Sequence, residues 1–122
     1  MVNVADATQQ AAAANYLNSV DSSGNGLFWI GLTDLSQEGN YVWEDGTSAT
    51  YFNWYSGEPN DPDGSSDCVH MEYRSKDRRW TDSGCFSLNI QAFCQTSEEG
   101  KSNCLLISLF DSLYNEQKHK RS

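Results

Sequence analysis

A dense group of oxygen-bearing side chains lies in one short stretch, 57–67, which reads Gly-Glu-Pro-Asn-Asp-Pro-Asp-Gly-Ser-Ser-Asp. The stretch has no Lys or Arg, and its acids and amide are Glu58, Asn60, Asp61, Asp63 and Asp67. Carboxylates packed this closely repel one another unless a cation lies between them. Calcium suits the stretch best, because it takes about six to eight oxygen ligands, whereas magnesium requires a tighter octahedron. The alternative is a solvated acidic turn, since Pro, Asp, Gly and Ser also favour turns.

The cysteines and His70 could also bind a metal or take part in catalysis, but their spacing predicts neither a zinc site nor a catalytic site. The spacing of the four cysteines matches no zinc motif. The cysteines allow three disulfide pairings, and an oxidising compartment is predicted. His70 follows Asp67 at an odd spacing, so the two side chains point to opposite faces of a strand. We therefore expect His70 to be a packed or surface histidine, and we expect no enzyme. An EF-hand is a poor match, because Gly64 comes too early in the loop and no predicted helices flank it.

The charge of the chain excludes several partners. Its 17 acidic residues exceed its 8 basic residues, giving a net charge of −9, and no Lys or Arg occurs before Arg74. Such a surface repels nucleic acid and anionic membranes and attracts metal cations. No stretch has the length of a membrane span. Because the first residues do not read as a signal peptide, secretion requires a leader that this chain lacks.

The elements around the acidic stretch follow from periodicity and from turn residues. Residues 6–20 predict a helix, with Asp6 as its N-cap. The following apolar or alternating runs predict short strands, and long loops join them. These runs are 27–32, 41–43, 68–73, 80–82 and 89–95. One helix followed by several short strands indicates an α+β domain.

The character of the sequence changes at about Thr96. We predict a domain at residues 1–95 and an unassigned C-terminal tail at 96–122. Within that tail, Cys104–Tyr114 predicts a short amphipathic helix, with its leucines on one side.

Several short motifs, in order, resemble the C-type lectin domain. They are Trp29-Ile30-Gly31-Leu32, Trp43-Glu44-Asp45-Gly46, Asn53-Trp54, Glu58-Pro59-Asn60, Asp67-Cys68, Trp80-Thr81-Asp82 and the pair Cys85 and Cys94. Each motif is weak alone, but their shared order and spacing make the resemblance specific.

The resemblance implies an α+β fold with two short antiparallel sheets, a helix and a long calcium-binding loop. Trp29, Ile30 and Leu32 would then be core residues. Cys68 and Cys85 correspond to the family's inner disulfide. The chain lacks the family's first strand, its first helix and the cysteine that pairs with Cys94. Cys94 is then left free or pairs with Cys104.

The resemblance also implies a site. In the family, the peptide before the proline of Glu-Pro-Asn is cis, and by this match Glu58, Asn60 and Asp82 are primary calcium ligands. Carbohydrate-binding residues would be Glu58, Asn60, Thr81 and Asp82. An accessory calcium site would use Asp34, Glu38, Asp61 and Asp67. The Glu-Pro-Asn pattern implies calcium-dependent binding of mannose, N-acetylglucosamine or fucose by a secreted, extracellular protein.

Two departures from the family pattern weaken the expected site. Ser66 stands where the family usually has Glu, and Thr81 stands where it usually has Asn. These changes remove a charge and an amide, which lowers the expected affinity for calcium and sugar. The alternative function is a lectin-like domain that has lost sugar binding and recognises a protein partner or ice.

Overall fold

In the computed structural model, the described residues are 1–60, 64–87 and 89–94. They form one helix, α1 (Ala7–Val20), and five strands. The strands are β1 (Phe28–Thr33), β2 (Val42–Trp43), β3 (Cys68–Met71), β4 (Trp80–Ser83) and β5 (Gln91–Ala92). Each strand lies within or overlaps a predicted run, and the α+β class is confirmed. The predicted tail, with its helix at Cys104–Tyr114, lies outside the described residues.

All described strands belong to one sheet, in which β1 is paired along both of its edges. β3 runs antiparallel to β1 on one side, and β4 continues the sheet beyond β3. β2 pairs with Leu32 and Thr33, whereas β5 pairs in parallel with Phe28 and Trp29. The described strands therefore form one five-stranded sheet with one parallel pairing, rather than the two short antiparallel sheets that we expected. The six residues of β1 are long enough to accept β2 at one end and β5 at the other.

The helix begins and ends where the sequence predicts. The Asp6 carboxylate accepts a hydrogen bond from the backbone N–H of Gln9 at 2.8 Å, which satisfies one of the free donors of the first turn. At the other end, the Asp21 N–H donates to the Leu17 carbonyl at 2.8 Å. No helix among the described residues is long and apolar enough to cross a membrane.

The core lies between α1 and the sheet, with Trp80 at its centre. Trp80 has no exposed surface, and its indole N–H donates to the Gln10 side chain of α1 at 2.9 Å. The Gln10 amide in turn donates to the Asp77 carbonyl at 2.7 Å. One buried glutamine thus joins the helix to the β3–β4 hairpin and satisfies the polar atom of the largest core residue.

A buried ion pair fixes the same hairpin to the end of the helix. The Arg78 guanidinium lies 3.1 Å from the Asp21 carboxylate and also donates to the Asn18 side chain at 2.9 Å. Both members of the ion pair are more than nine-tenths shielded from solvent. Because β4 carries Asp82, these contacts also position one predicted ligand of the site.

Candidate functional site

The first cluster of the site consists of Asp34, Glu38 and Asp67. One ligand oxygen from each lies within 4.8 Å of the others. Asp34 and Asp67 are buried, with 1% and 0% exposure, whereas Glu38 is exposed. The predicted fourth ligand, Asp61, lies outside the described residues, as does Asp63.

The end of β1 and the start of β3 hold this first cluster together. The Asp67 carbonyl accepts hydrogen bonds from the backbone N–H of Asp34 and from the Thr33 hydroxyl. The Asp34 carboxylate accepts a hydrogen bond at 2.9 Å from the N–H of Gly39. The backbone therefore brings the carboxylates together.

The electrostatics of the first cluster favour a bound cation. Burial raises the pKa of Asp34 to about 8, and the neighbouring Glu38 and Asp67 add to this effect. The Asp34 Oδ1 atom is buried and has no hydrogen-bond partner among the described residues. A buried, unsatisfied carboxylate oxygen is costly. A hard divalent cation removes that cost, so the donor set fits calcium.

The second cluster brings Glu58 and Asp82 together with Asn60. Asp82 lies in β4 and is 5% exposed, and its Oδ1 atom accepts the backbone N–H of Asn60 at 3.1 Å. Burial and then the nearby Asp82 carboxylate raise the pKa of Glu58 to about 7. The Glu58–Pro59 peptide is cis, as in the family pattern.

Two shielded oxygens of the second cluster have no hydrogen-bond donor among the described residues. They are Glu58 Oε2 and Asp82 Oδ2. The two oxygens are carboxylate ligands of the kind that calcium prefers, and Asn60, whose backbone N–H reaches Asp82, is an exposed residue with a side-chain amide. The donor set of the second cluster therefore also fits calcium.

The two departures from the family pattern lie beside these clusters. Ser66 is half-buried and directly precedes Asp67. Thr81 is half-buried and precedes Asp82 in β4; its Oγ1 atom is shielded and has no hydrogen-bond partner among the described residues.

Sequence reasoning missed Arg74 as part of the surroundings of Glu58. The Arg74 guanidinium lies over the Tyr55 ring, 3.8 Å from its centroid, and forms an ion pair with the buried carboxylate of Glu72. Its positive charge acts on Glu58 and partly opposes the rise in pKa there. The sequence does carry one sign of this role: Arg74 is the first Lys or Arg of the chain, and it comes just after β3.

The expected disulfide, the packed His70 and two of the three expected core residues are confirmed. Cys68 and Cys85 form a disulfide, and no cysteine of the described residues is free, Cys94 included. Ile30 and Leu32 are core residues, whereas Trp29 is half-buried. His70 is a packed histidine, 7% exposed, that meets the Trp29 ring edge-on.

Comparison with known proteins identifies the family. The family model for the lectin C-type domain matches residues 2–96, so this chain belongs to the C-type lectin family. Members of this family are generally binding proteins without catalytic activity.

Individual relatives agree with the family model. An alpha-N-acetylgalactosamine-specific lectin of Patiria pectinifera is 33% identical over 86 residues, which cover 70% of this chain and 51% of the relative. The C-type lectin CEL-I of Cucumaria echinata has a TM-score of 0.63 at 32% identity, covering 69% of this chain and 59% of that structure. The cow CD23 carbohydrate-recognition domain, studied with a GlcNAc2Man3 oligosaccharide, has a TM-score of 0.55 at 31% identity, covering 68% and 57%. The chain thus spans about half the length of the relatives that it matches.

Proposed function

We propose that this chain is a calcium-dependent carbohydrate-binding module that works outside the cell and prefers sugars of the mannose, N-acetylglucosamine and fucose type. The observation that carries the proposal is the pair of shielded carboxylate oxygens, Glu58 Oε2 and Asp82 Oδ2, which have no donor among the described residues. The similarity to the cow CD23 domain, whose structure was determined in the presence of a GlcNAc2Man3 oligosaccharide, supports the sugar class.

In this proposal Glu58, Asn60 and Asp82 hold the primary calcium ion. When bound, that ion supplies open coordination positions for two neighbouring sugar hydroxyls. The carboxylates of Glu58 and Asp82 accept hydrogen bonds from those hydroxyls, because ionised carboxylates are acceptors only. The Asn60 side-chain amide donates to a sugar oxygen, and Thr81 is the neighbouring polar contact.

The first cluster holds an accessory ion in the same proposal, with Asp34, Glu38, Asp61 and Asp67 as its ligands. Asp67 is followed directly by Cys68, which is fixed to Cys85. A bound ion there neutralises the buried carboxylates and stabilises the base of the loop. The disulfide and the need for high calcium both favour an extracellular setting.

Ser66 and Thr81 set the expected strength of the primary site. Calcium affinity rises with the number of charged ligands and with the rigidity of the site. Because serine and threonine lack the charge and the amide of the family pattern, we expect a dissociation constant nearer the millimolar than the micromolar range.

Calorimetry of a restored site tests this proposal. The double change Ser66→Glu with Thr81→Asn should strengthen calcium binding by about tenfold, which is about 1.4 kcal/mol. Binding of methyl α-mannoside in the presence of calcium should strengthen with it. The matched control is Ser65→Glu with Thr81→Asn, which adds the same charge one residue away on an exposed side chain.

Two results would contradict the proposal. If the restored and control variants bind calcium equally, the primary site does not lie beside Ser66. If calcium binding improves while no variant binds the sugar, the domain recognises a protein partner or ice instead.

A further inference from the structure

The stacked pair of Arg74 and Tyr55 borders the second cluster. The Tyr55 carbonyl accepts the backbone N–H of Glu58 at 2.9 Å, and the Tyr55 N–H donates to the Trp80 carbonyl at 2.9 Å. Glu58 belongs to the second cluster, and Trp80 lies two residues before Asp82 in β4. The backbone thus holds Tyr55 against both parts of the chain that carry the carboxylates of this cluster.

Buried and aromatic partners fix the Arg74 side chain. Its Nε atom donates to the Glu72 carboxylate, whose other oxygen accepts the Arg74 backbone N–H at 3.1 Å. Glu72 is 3% exposed, so this anchor is rigid. The guanidinium carbon lies 3.8 Å from the centroid of the Tyr55 ring, which supports the planar group. A ligand that binds Arg74 therefore does not have to order the side chain first.

The outer edge of the same guanidinium remains available to a ligand. The Arg74 side chain is 48% exposed. Its two terminal nitrogens, Nη1 and Nη2, make no hydrogen bond to the residues that the structure describes. Because these nitrogens only donate, a group that fits them must supply acceptor oxygens. Paired N–H donors match the paired oxygens of an oxyanion, such as a carboxylate or a sulfate ester.

The other arginines of the β3–β4 hairpin do not offer this geometry. Arg78 is buried and paired with Asp21. Arg79 is exposed, lies 3.8 Å from the exposed carboxylate of Asp77 and donates to a backbone carbonyl. Arg74 is therefore the arginine of this hairpin that combines a fixed side chain with exposed donors.

The net charge of −9 does not prevent a local contact with an anion. At physiological salt, interactions between exposed charges are largely screened beyond about 8 Å, so distant acids contribute little at Arg74. Glu72 already binds Arg74. In the proposed function, the charges of Glu58 and Asp82 are balanced by a calcium ion. The acids around Arg74 therefore leave its outer edge open to an anionic group.

We propose that the Nη edge of Arg74, supported by Tyr55 and Glu72, binds an anionic substituent, a sulfate ester or a carboxylate, on the glycan that the second cluster holds. The preferred ligand is then an acidic rather than a neutral sugar chain. This inference rests on the proposed function, because the sugar must lie at the second cluster for its substituent to reach Arg74.

Three forms of one polymer test the inference: mannan, partially sulfated mannan, and mannan whose C6 groups are oxidised to carboxylates. Partial sulfation places the anion at several positions, so the test does not depend on one geometry. In calcium, the unmodified chain should bind an anionic form about tenfold more tightly than mannan, as expected for partly exposed charge-assisted hydrogen bonds. The form that it prefers distinguishes sulfate from carboxylate. The preference should shrink as salt is added.

Variants are compared by the ratio of the anionic to the neutral affinity, which cancels any change in calcium binding itself. Arg74→Gln should bring this ratio close to one. Arg74→Lys should lose most of the preference, because an ammonium lacks the paired planar donors. The matched control, Lys76→Gln, removes the same charge from an exposed side chain of the same hairpin and should keep the ratio.

A second variant guards against misfolding. Arg74→Gln leaves the buried Glu72 carboxylate without its partner, which is destabilising. Glu72→Gln with Arg74→Gln removes both charges, so it should fold and show the same loss of preference. Circular dichroism and thermal melts check the fold of each variant.

Three results would overturn the inference. The first is equal affinity of the unmodified chain for all three polymers. The second is a preference that both Arg74→Gln variants keep. The third is an equal loss of preference in Lys76→Gln, which would show that only the net charge matters.

The same data separate this inference from the proposed function. If mannan is bound in calcium without any preference for the anionic forms, the inference fails and the proposed function stands. If a chelator leaves the anionic polymers bound through Arg74, the anion site stands and the calcium-dependent function fails. If none of the three polymers is bound, both are wrong.

Discussion

Neutralising Asp34 should stabilise the calcium-free protein and should also weaken the stabilisation that calcium gives through the first cluster. The physical reason is the raised pKa of Asp34, which burial and then Glu38 and Asp67 shift from 3.8 to about 8. Between these two values the folded protein binds a proton that the unfolded chain does not. Stability of the calcium-free protein therefore falls as the pH rises through this interval. Asp34→Asn carries no such proton, so its stability should not fall in this way.

The expected size follows from the same shift. Each pH unit corresponds to about 1.4 kcal/mol, so the interval from 3.8 to neutral pH amounts to about 4 kcal/mol. Because Glu38 is exposed and water screens part of the repulsion, we expect about half of this, roughly 2 kcal/mol. The variant should thus equal the unmodified protein near pH 4 and exceed it by roughly 2 kcal/mol at pH 7.

Calcium should reverse this order. A ligand at a hundredfold excess over its dissociation constant stabilises the folded state by about 2.7 kcal/mol. The unmodified protein should gain this stabilisation when calcium is added. Asp34→Asn should gain less, because it loses most of the stabilisation that comes from an ion bound at the first cluster.

Urea unfolding at several pH values, with a chelator and with calcium, measures both effects. The matched control is Asp77→Asn, which removes the same charge from a side chain that is 73% exposed. The reasoning fails if the unmodified protein and Asp34→Asn show the same pH dependence without calcium. It also fails if calcium stabilises both equally, because Asp34 would then not be a ligand.

Two further predictions concern the scaffold. Gln10→Ala should lower the free energy of unfolding by roughly 2–3 kcal/mol, because it leaves the buried Trp80 indole N–H without its partner. Thermal melts of Gln10→Ala and of the exposed control Gln9→Ala test this prediction. Equal melting temperatures would contradict it. Replacing both Cys68 and Cys85 with Ser should lower the free energy of unfolding by about 3 kcal/mol, since the disulfide closes a loop over a sequence separation of 17. Denaturant unfolding that shows no loss of stability would contradict this prediction.

Local patterns predicted most of the elements because their causes lie close together in sequence. The Asp6 cap and the alanine-rich run define α1, and the apolar run that contains β1 needs no distant partner to be recognised. The site residues Glu58, Asn60 and Asp82 came from the family resemblance, since no periodicity connects a loop to a strand more than twenty residues away.

What sequence reasoning missed depends on contacts between distant residues. Gln10 is one of two adjacent glutamines, and only the packed fold shows that this one bridges Trp80 and the hairpin. Arg78 belongs to a turn that looks solvated in sequence, yet it is buried against Asp21. The parallel pairing of β5 with β1 likewise joins two segments that are far apart in sequence. The alternation of apolar and polar side chains within a strand does not show which strand it pairs with.

The most direct test of the proposed function is retention on immobilised mannan. We predict that the unmodified chain is retained in calcium, is released by a chelator and is eluted by free mannose ahead of free galactose. Glu58→Gln should abolish retention, because it removes a carboxylate from the second cluster, whereas Asp77→Asn should be retained like the unmodified chain. Retention that survives the chelator, or that Glu58→Gln leaves intact, would contradict the claim that sugar binds through calcium at this cluster.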